Sequence, residues 1–390
     1  MKKKVGLLPR LFIAIALGAA IGFVSPDWVM RSLNCFRDTF GQFIKFFVPF
    51  IIIGLVTPAI ADTGRTAGRT LLITMGIAYA STLFAGYFAY GVSCGVFPLI
   101  MSGGLHDAAT RAFPAYFSLK IPPFMEVTTA LAVAFLVGLG IVASSAETLE
   151  RAAHELRSIV ARALETVFVP LLPYYVLATM ADLTGSGRLA LVGGGCLKIM
   201  GVAFATTTAV LVVQFTVAGI AARRNPFKAL WTMLPAYLTG WGCCSSAATI
   251  PYTLAQTRRN GVSAETAELV IPLCANVHLA GSMANMVIYA TGLAVLAGEA
   301  LPFGAYTEYI LMVSITAVAS PGVPGGVVLA CASVAESALG FSPERYAIMI
   351  AVYMALDGMG TACNLTGDGA IAMLVDKFRS KEEDEDGSST

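Results

Sequence analysis

Apolar residues in this chain come in long runs rather than in the short alternations of soluble folds. Runs of about 18 or more read as membrane-spanning helices. They fall near 8–25, 36–61, 70–100, 124–146, 155–182, 188–220, 265–297 and 343–375. Two further apolar segments do not fit as clean spans. One, 225–259, reads NPFKALWTMLPAYLTGWGCCSSAATIPYTLAQTRR; the other, about 303–338, contains VASPGVPGGVV. Each is interrupted at its centre by small, polar or Pro/Gly residues, and each is long enough to enter a bilayer, turn and leave on the same side. Broken backbone at membrane depth survives only where it is buried in protein or lines a cavity. The pattern predicts an all-α membrane protein: eight transmembrane helices plus two re-entrant helical hairpins.

Composition agrees. Hydrophobic residues make up 57% of the chain and charged residues 13%, against about 25% charged in a soluble domain; mean hydropathy is +0.75. The net charge of +1 gives no pull toward nucleic acid. The N-terminus imitates a signal peptide, but more membrane sequence follows, so an uncleaved first helix is expected. With that terminus cytoplasmic, Lys2, Lys3, Lys4, Arg10, Arg65, Arg69, Arg151, Arg157, Arg223, Arg224, Lys228, Arg258, Arg259, Lys377, Arg379 and Lys381 lie inside. Arg31, Arg37, Arg111, Lys120, Arg188 and Arg345 lie outside. This is the bias of a multi-pass cell (inner) membrane protein with both termini cytoplasmic. It holds only if the first broken segment returns to the cytoplasm and the second to the outside. The segment 102–123 reads as a polar loop, and RSKEEDEDGSST as a charged, disordered tail.

The two broken segments echo each other. Gly261-Val-Ser263-Ala-Glu265 and an apolar helix follow the first; Gly340-Phe-Ser342-Pro-Glu344 and an apolar helix follow the second. Each serine suits a helix N-cap, and Pro343 suits the first helical position. Hairpin plus helix thus occurs twice from opposite sides, an inverted repeat of the kind secondary transporters use. The eight cysteines lack CxxC spacing and read as packing residues; the three histidines lack metal-site spacing.

Chemistry concentrates in LDGMGTACNLTGDG, 356–369. On a helix Asp357, Thr361, Asn364 and Asp368 form one stripe, with Tyr353 on the same face. No Lys or Arg lies within two turns of these aspartates in sequence. An ionised aspartate at mid-membrane costs about 2.5–3.5 kcal/mol on the insertion scale, which points to ligands that complete the site. A carboxylate with carbonyls of a broken helix suits Na⁺. A second carboxylate suits a substrate ammonium. Hairpin tips offer helix N-termini to a substrate carboxylate: Ser245, Ser246 and Thr249 at the first, Gly322, Val323, Pro324 and Gly325 at the second.

Together with Lys45-x-x-x-Pro49, SSAATIP at 245–251, IPLCANVHLAGS at 271–282, GVPGG at 322–326 and D-x-x-x-T-x-x-N-x-x-G-D from Asp357 to Asp368, the chain resembles the dicarboxylate/amino acid:cation symporter family. That family includes the excitatory amino acid transporters and their prokaryotic homologues. The resemblance runs from the first helix to Lys377 and implies a homotrimer moving its substrate by an elevator mechanism. It implies scaffold helices in 1–69 and, after the loop, in 102–187. A transport domain would comprise 70–101 and 188–376, with 377–390 as the cytoplasmic tail. By resemblance Asp357 binds the substrate amino group, Thr361 senses the side chain and Asn364 holds the α-carboxylate. Asp368 coordinates Na⁺ with carbonyls of Cys274, His278 and Asn364. A second Na⁺ uses carbonyls near Asn276, Ala317, Val318 and Ser320.

Two departures shape the expectation. Acidic-substrate members carry an arginine where this chain has Gly360, so a buried second substrate carboxylate would lack a partner. A small neutral amino acid such as serine, threonine or alanine is expected, with an acidic or dicarboxylate substrate, H⁺-coupled or not, as the alternative. The family motif N-M-D-G-T reads His278-Leu279-Ala280-Gly281-Ser282, so a third Na⁺ site is expected to be lost, with Ser81 and Thr82 as its remnants. His278 is expected to be a polar packing residue rather than a proton-linked one, although H⁺ remains an alternative driver. Protease readings fail: LTGD lacks the first glycine of GxGD, and no GxSG frame surrounds the serines. A pure channel would leave the Asp357/Asn364 pair unused.

Overall fold

The computed structural model describes residues 7–65, 69–101, 112–117, 119–122, 124–125, 127–187, 189–318, 320 and 325–387. Lys2, Lys3, Lys4, Arg111, Arg188 and the hairpin residues Gly322, Val323 and Pro324 lie outside this set. Every regular element among the described residues is a helix, with 112–125 irregular where described: α1 (Leu7–Val24), α2 (Asp27–Arg65), α3 (Arg69–Ile100), α4 (Val127–Ser144), α5 (Glu147–Ala163) and a π-helical turn (Leu164–Phe168). α6 (Val169–Gly185), α7 (Leu189–Ala221), α8 (Pro226–Thr232), α9 (Leu234–Cys243) and α10 (Ser246–Arg259) follow. The rest is α11 (Ala264–Val277), α12 (Ala280–Leu296), α13 (Phe303–Val318), α14 (Gly326–Ala330), α15 (Ala332–Leu339) and α16 (Pro343–Gly387).

Among the described residues three helices are long and apolar enough to cross a membrane: Thr70–Ile100, Gly194–Ala221 and Ala264–Leu296. The count reaches five if two bent pairs are each one span, 147–168 with 173–185 at 48° and 345–354 with 356–379 at 61°. The sequence segment 155–182 is therefore not one straight helix. It begins in the charged α5, passes the π turn and bends near Pro173, as proline and π turns dictate. The tail also departs from expectation. α16 continues through Gly387 instead of ending in a disordered segment.

The first broken segment is a hairpin. Asn225 caps α8 by accepting a bond from the Lys228 amide at 3.0 Å, and Pro226 takes the first helical position. α9 ends at Cys244, whose φ of 50° is left-handed, and the chain reverses into α10. It returns to its start: Asn260 Nδ2 donates to Ala229 O at 3.0 Å, and Arg224 donates to the carbonyls of Asn260 and Gly261. The second broken segment closes likewise. Arg345, just past α15, grips Glu299, just before α13, with two bonds of 2.6 and 2.5 Å.

The open ends of the hairpins meet opposite ends of α16. Near the first, Ser263 Oγ donates to Asp376 Oδ1 at 2.6 Å and Arg379 pairs with Glu265 at 2.9 Å. Near the second lies Arg345, in the first turn of α16. Opposite entry is what the charge pattern required. Both expected N-caps are present: Ser263 accepts from Thr266 N, and Ser342 from Arg345 N.

Close helix contacts rest on glycine, as they must where no hydrophobic effect presses helices together. A Cβ on Gly18 or Gly22 of α1 would stand 2.4 Å from the carbonyls of Leu177 and Ala181 on α6. Around α16, a Cβ on Gly281 would stand 2.5 Å from Gly360 O, and one on Gly358 would stand 2.2 Å from Trp241 O. These approaches make α16 the axis on which α7, α9 and α12 pack.

Candidate functional site

Described residues of both hairpins border one partly open pocket. A cavity of about 60 Å³ lies among Cys244 and Ser246 of the first tip and Ala317, Ser320, Gly326 and Val327 of the second. Ala275, Asn276, Leu279 and Ser282 line it from the α11–α12 break, and Tyr353, Asp357, Thr361 and Asn364 from α16. With about 10–15 Å³ of such volume needed for one water, the space suits a small organic solute and no more. The helix break has a local cause. α11 ends at Val277, His278 and Leu279 leave helical geometry, and α12 restarts at Ala280.

Asp357 is 6% exposed, and its Oδ2 accepts from the Gly325 amide at 2.8 Å. The second tip thus touches the carboxylate through its backbone. Gly325 has φ of +75°, and a Cβ there would lie 2.2 Å from Met354 Sδ, so glycine is required. Tyr353 lines the same pocket beside Asp357. Among the described residues no lysine or arginine pairs with Asp357 or Asp368.

Asn364 has work within the fold. Its Oδ1 accepts from the amides of Gly281 (2.8 Å) and Ser282 (3.2 Å), and its Nδ2 donates to Ser282 Oγ at 2.9 Å. It ties α16 to the first turn of α12. Thr249 donates to the carbonyls of Ser245 and Ser246 at 3.1 and 2.9 Å, so it builds the tip and does not line the cavity.

Asp368 lies outside the cavity lining, fully buried beneath it. Its Oδ1 stands 2.9 Å from His278 Nδ1. His278 Nε2 faces Ser81 Oγ at 3.1 Å and Gln214 Nε2 at 3.2 Å, and Gln214 Nε2 donates to Ser81 at 2.8 Å. Leu279 N donates to Thr82 Oγ1 at 3.1 Å. Ser81 and Thr82 therefore do stand at the HLAGS break, with the imidazole between Ser81 and Asp368. Asp368 Oδ2 is buried without a partner, as suits an oxygen that can meet a cation. The Cys274 carbonyl accepts from His278 N at 2.8 Å, and Asn276 Nδ2 is turned to Pro272 O at 3.2 Å. Val318 is half-buried at the end of α13.

Gly360 is where the structure adds most. A Cβ there would meet Asn285 Nδ2 at 2.8 Å, with the backbone of Ser282 at 3.6 Å. Asn285 and Gln214 escaped the sequence reading. Their signal was a lone amide in an apolar helix, SMANMVIYA and VLVVQFTV, which marks function or satisfied packing in a membrane.

Opposed hairpins, a broken helix and a carboxylate without a basic partner among the described residues, around one partly open pocket, form the arrangement secondary transporters use. The chain belongs to the sodium:dicarboxylate symporter family, which it matches over residues 7–378. It is similar to proteins named serine/threonine transporter SstT. The relative from Streptococcus thermophilus (strain CNRZ 1066) is 24% identical over 402 residues, covering 97% of this chain and 98% of the relative. That from Acinetobacter baumannii (strain ATCC 17978) is 24% identical over 403 residues, with the same coverage. The protein is thus a membrane transporter rather than one of the proteases weighed above.

Proposed function

We propose that the protein is a secondary symporter that takes up a small neutral amino acid, of the serine, threonine or alanine kind, together with Na⁺. The observation that carries this reading is the pairing of Gly360 with Asn285. Among the described residues the site has one carboxylate lining its cavity, no lysine or arginine opposite it, and an amide where an arginine's stem would start. A substrate with an ammonium and an α-carboxylate finds Asp357 and the tip backbone amides; a second carboxylate finds no lysine or arginine among the described residues. The small cavity and the names of the relatives favour the same substrate class.

In this reading Asp357 holds the ammonium, Thr361 lies beside the substrate side chain, and Gly325, Ser245 and Ser246 frame the carboxylate. Asn364 positions the α12 terminus and offers its second amide hydrogen. Na⁺ is cargo. Asp368 Oδ2 with the carbonyls of Cys274, His278 and Asn364 would receive one ion, and carbonyls near Asn276, Ala317, Val318 and Ser320 another. Residues 70–101 and 188–376 move as an elevator within a homotrimer in the inner membrane, against scaffold helices in 1–69 and 102–187. Both termini are cytoplasmic. Uptake into proteoliposomes, with amino acids tested singly and Na⁺ and pH gradients imposed separately, tests this. Na⁺-driven serine uptake is expected; uptake of aspartate or succinate without serine overturns the neutral-substrate reading.

A further inference from the structure

Asn285 stands in the second turn of α12, 1% exposed, with its Oδ1 buried and without a hydrogen-bond partner. Its Nδ2 points at the vacant Cβ position of Gly360. The residues on either side of that notch, Ser282 and Thr361, both line the cavity. One helical turn further, Tyr289 also has a buried hydroxyl without a partner, and its ring packs edge-on against Tyr353 of the cavity wall at 6.1 Å. Buried polar atoms are almost always satisfied. An unsatisfied amide and hydroxyl in successive turns, behind a wall thinned to glycine, call for a polar group that the protein alone does not supply.

We propose that Asn285 is the residue that reads the substrate side chain, and that it selects a hydroxyl-bearing amino acid over its hydrocarbon analogue. The proposal rests on the neutral amino-acid reading above and narrows it. A carboxamide can accept from a hydroxyl through its oxygen and donate to it through its nitrogen, so the amide's orientation does not matter. Gly360 and Asn285 lie just behind the lining residues Ser282 and Thr361, and with no side chain at 360 a hydroxyl at that wall reaches the amide through one water. Alanine has nothing to offer Asn285 and leaves the oxygen orphaned; a site with a buried polar group rejects the analogue that cannot bond it. Asn285 acts on specificity and has no part in binding the ammonium or the α-carboxylate.

The test compares serine and alanine uptake by purified protein in proteoliposomes, for wild type, Asn285→Leu and Asn285→Ser. Leucine matches the volume and removes the polarity; serine retains a hydrogen-bonding group. Wild type is expected to show a KM for serine at least tenfold below that for alanine. Asn285→Leu should raise the serine KM about tenfold and leave the alanine KM within twofold, so that discrimination disappears. Asn285→Ser should keep part of it. Retained alanine transport certifies the fold of each variant. An unchanged serine-to-alanine ratio in Asn285→Leu overturns the proposal, as does loss of both substrates in both variants, which marks a merely structural residue. If wild-type protein takes up neither serine nor alanine, the neutral-substrate reading itself fails, which is a separate result.

Discussion

Placing arginine at position 360 tests whether the vacant Cβ position, rather than the cavity at large, sets the substrate. The first atom of the new side chain would lie 2.8 Å from Asn285 Nδ2, inside van der Waals contact, while the nearest backbone atoms, of Ser282, are 3.6 Å away. The obstacle is therefore one amide and not the helix. Forcing it aside is an overpacking change of about 1–3 kcal/mol, or roughly 2–6 °C of melting temperature if each kcal/mol moves a chain of this size by about 2 °C. Shortening the obstacle should recover most of that. Gly360→Arg alone should melt lower by that amount; in an Asn285→Ala background it should cost less than half as much. Thermal melts of the four purified proteins in detergent close the cycle. Chemistry is read separately: the double variant should take up aspartate in proteoliposomes, because its guanidinium supplies the missing partner for a second carboxylate. An equal drop in melting temperature in both backgrounds would refute the contact, and a double variant that still ignores aspartate would refute the electrostatic reasoning.

Asp357→Asn keeps an acceptor for the Gly325 amide and removes only the charge. With a buried partner charge lost at about 3–5 kcal/mol, apparent serine affinity measured by calorimetry should fall by more than two orders of magnitude, while the melting temperature hardly moves. Gly325→Ala combines a left-handed backbone with a Cβ 2.2 Å from Met354 Sδ; transport should fall at least tenfold while circular dichroism stays helical. Gly22→Leu, whose first side-chain carbon would meet Ala181 O at 2.4 Å, should loosen α1 from α6. Its melting temperature should drop by several degrees with serine affinity intact.

The hairpins were legible because their signals are local: Pro and Gly at the tips, Ser263 and Ser342 at the caps, and a charge bias that forced opposite entry. The stripe Asp357–Thr361–Asn364 was legible as helical spacing, and the cavity does collect those three residues. Asp368 shares the stripe but not the cavity. It lies a full turn beyond Asn364, and His278, 90 positions earlier in sequence, draws its carboxylate into a separate polar cluster. The meeting of Gly360 with Asn285 depends on how closely α12 approaches α16, which Gly281 sets and no periodicity encodes. The span expected over 155–182 is bent rather than continuous for the opposite reason. Its apolar average was adequate, but a π turn and Pro173 redirected the backbone.

The bond from Gly325 to Asp357 is made by main chain, and main chain leaves no letter in a sequence. Any residue but proline could donate it, so comparison of side chains among relatives is blind to the contact; only the glycine that makes room for it is spelled out. A chain could lose this latch through a shift of the tip alone, with every polar side chain of the site preserved. Such a change would leave the polar side chains of the sequence unaltered.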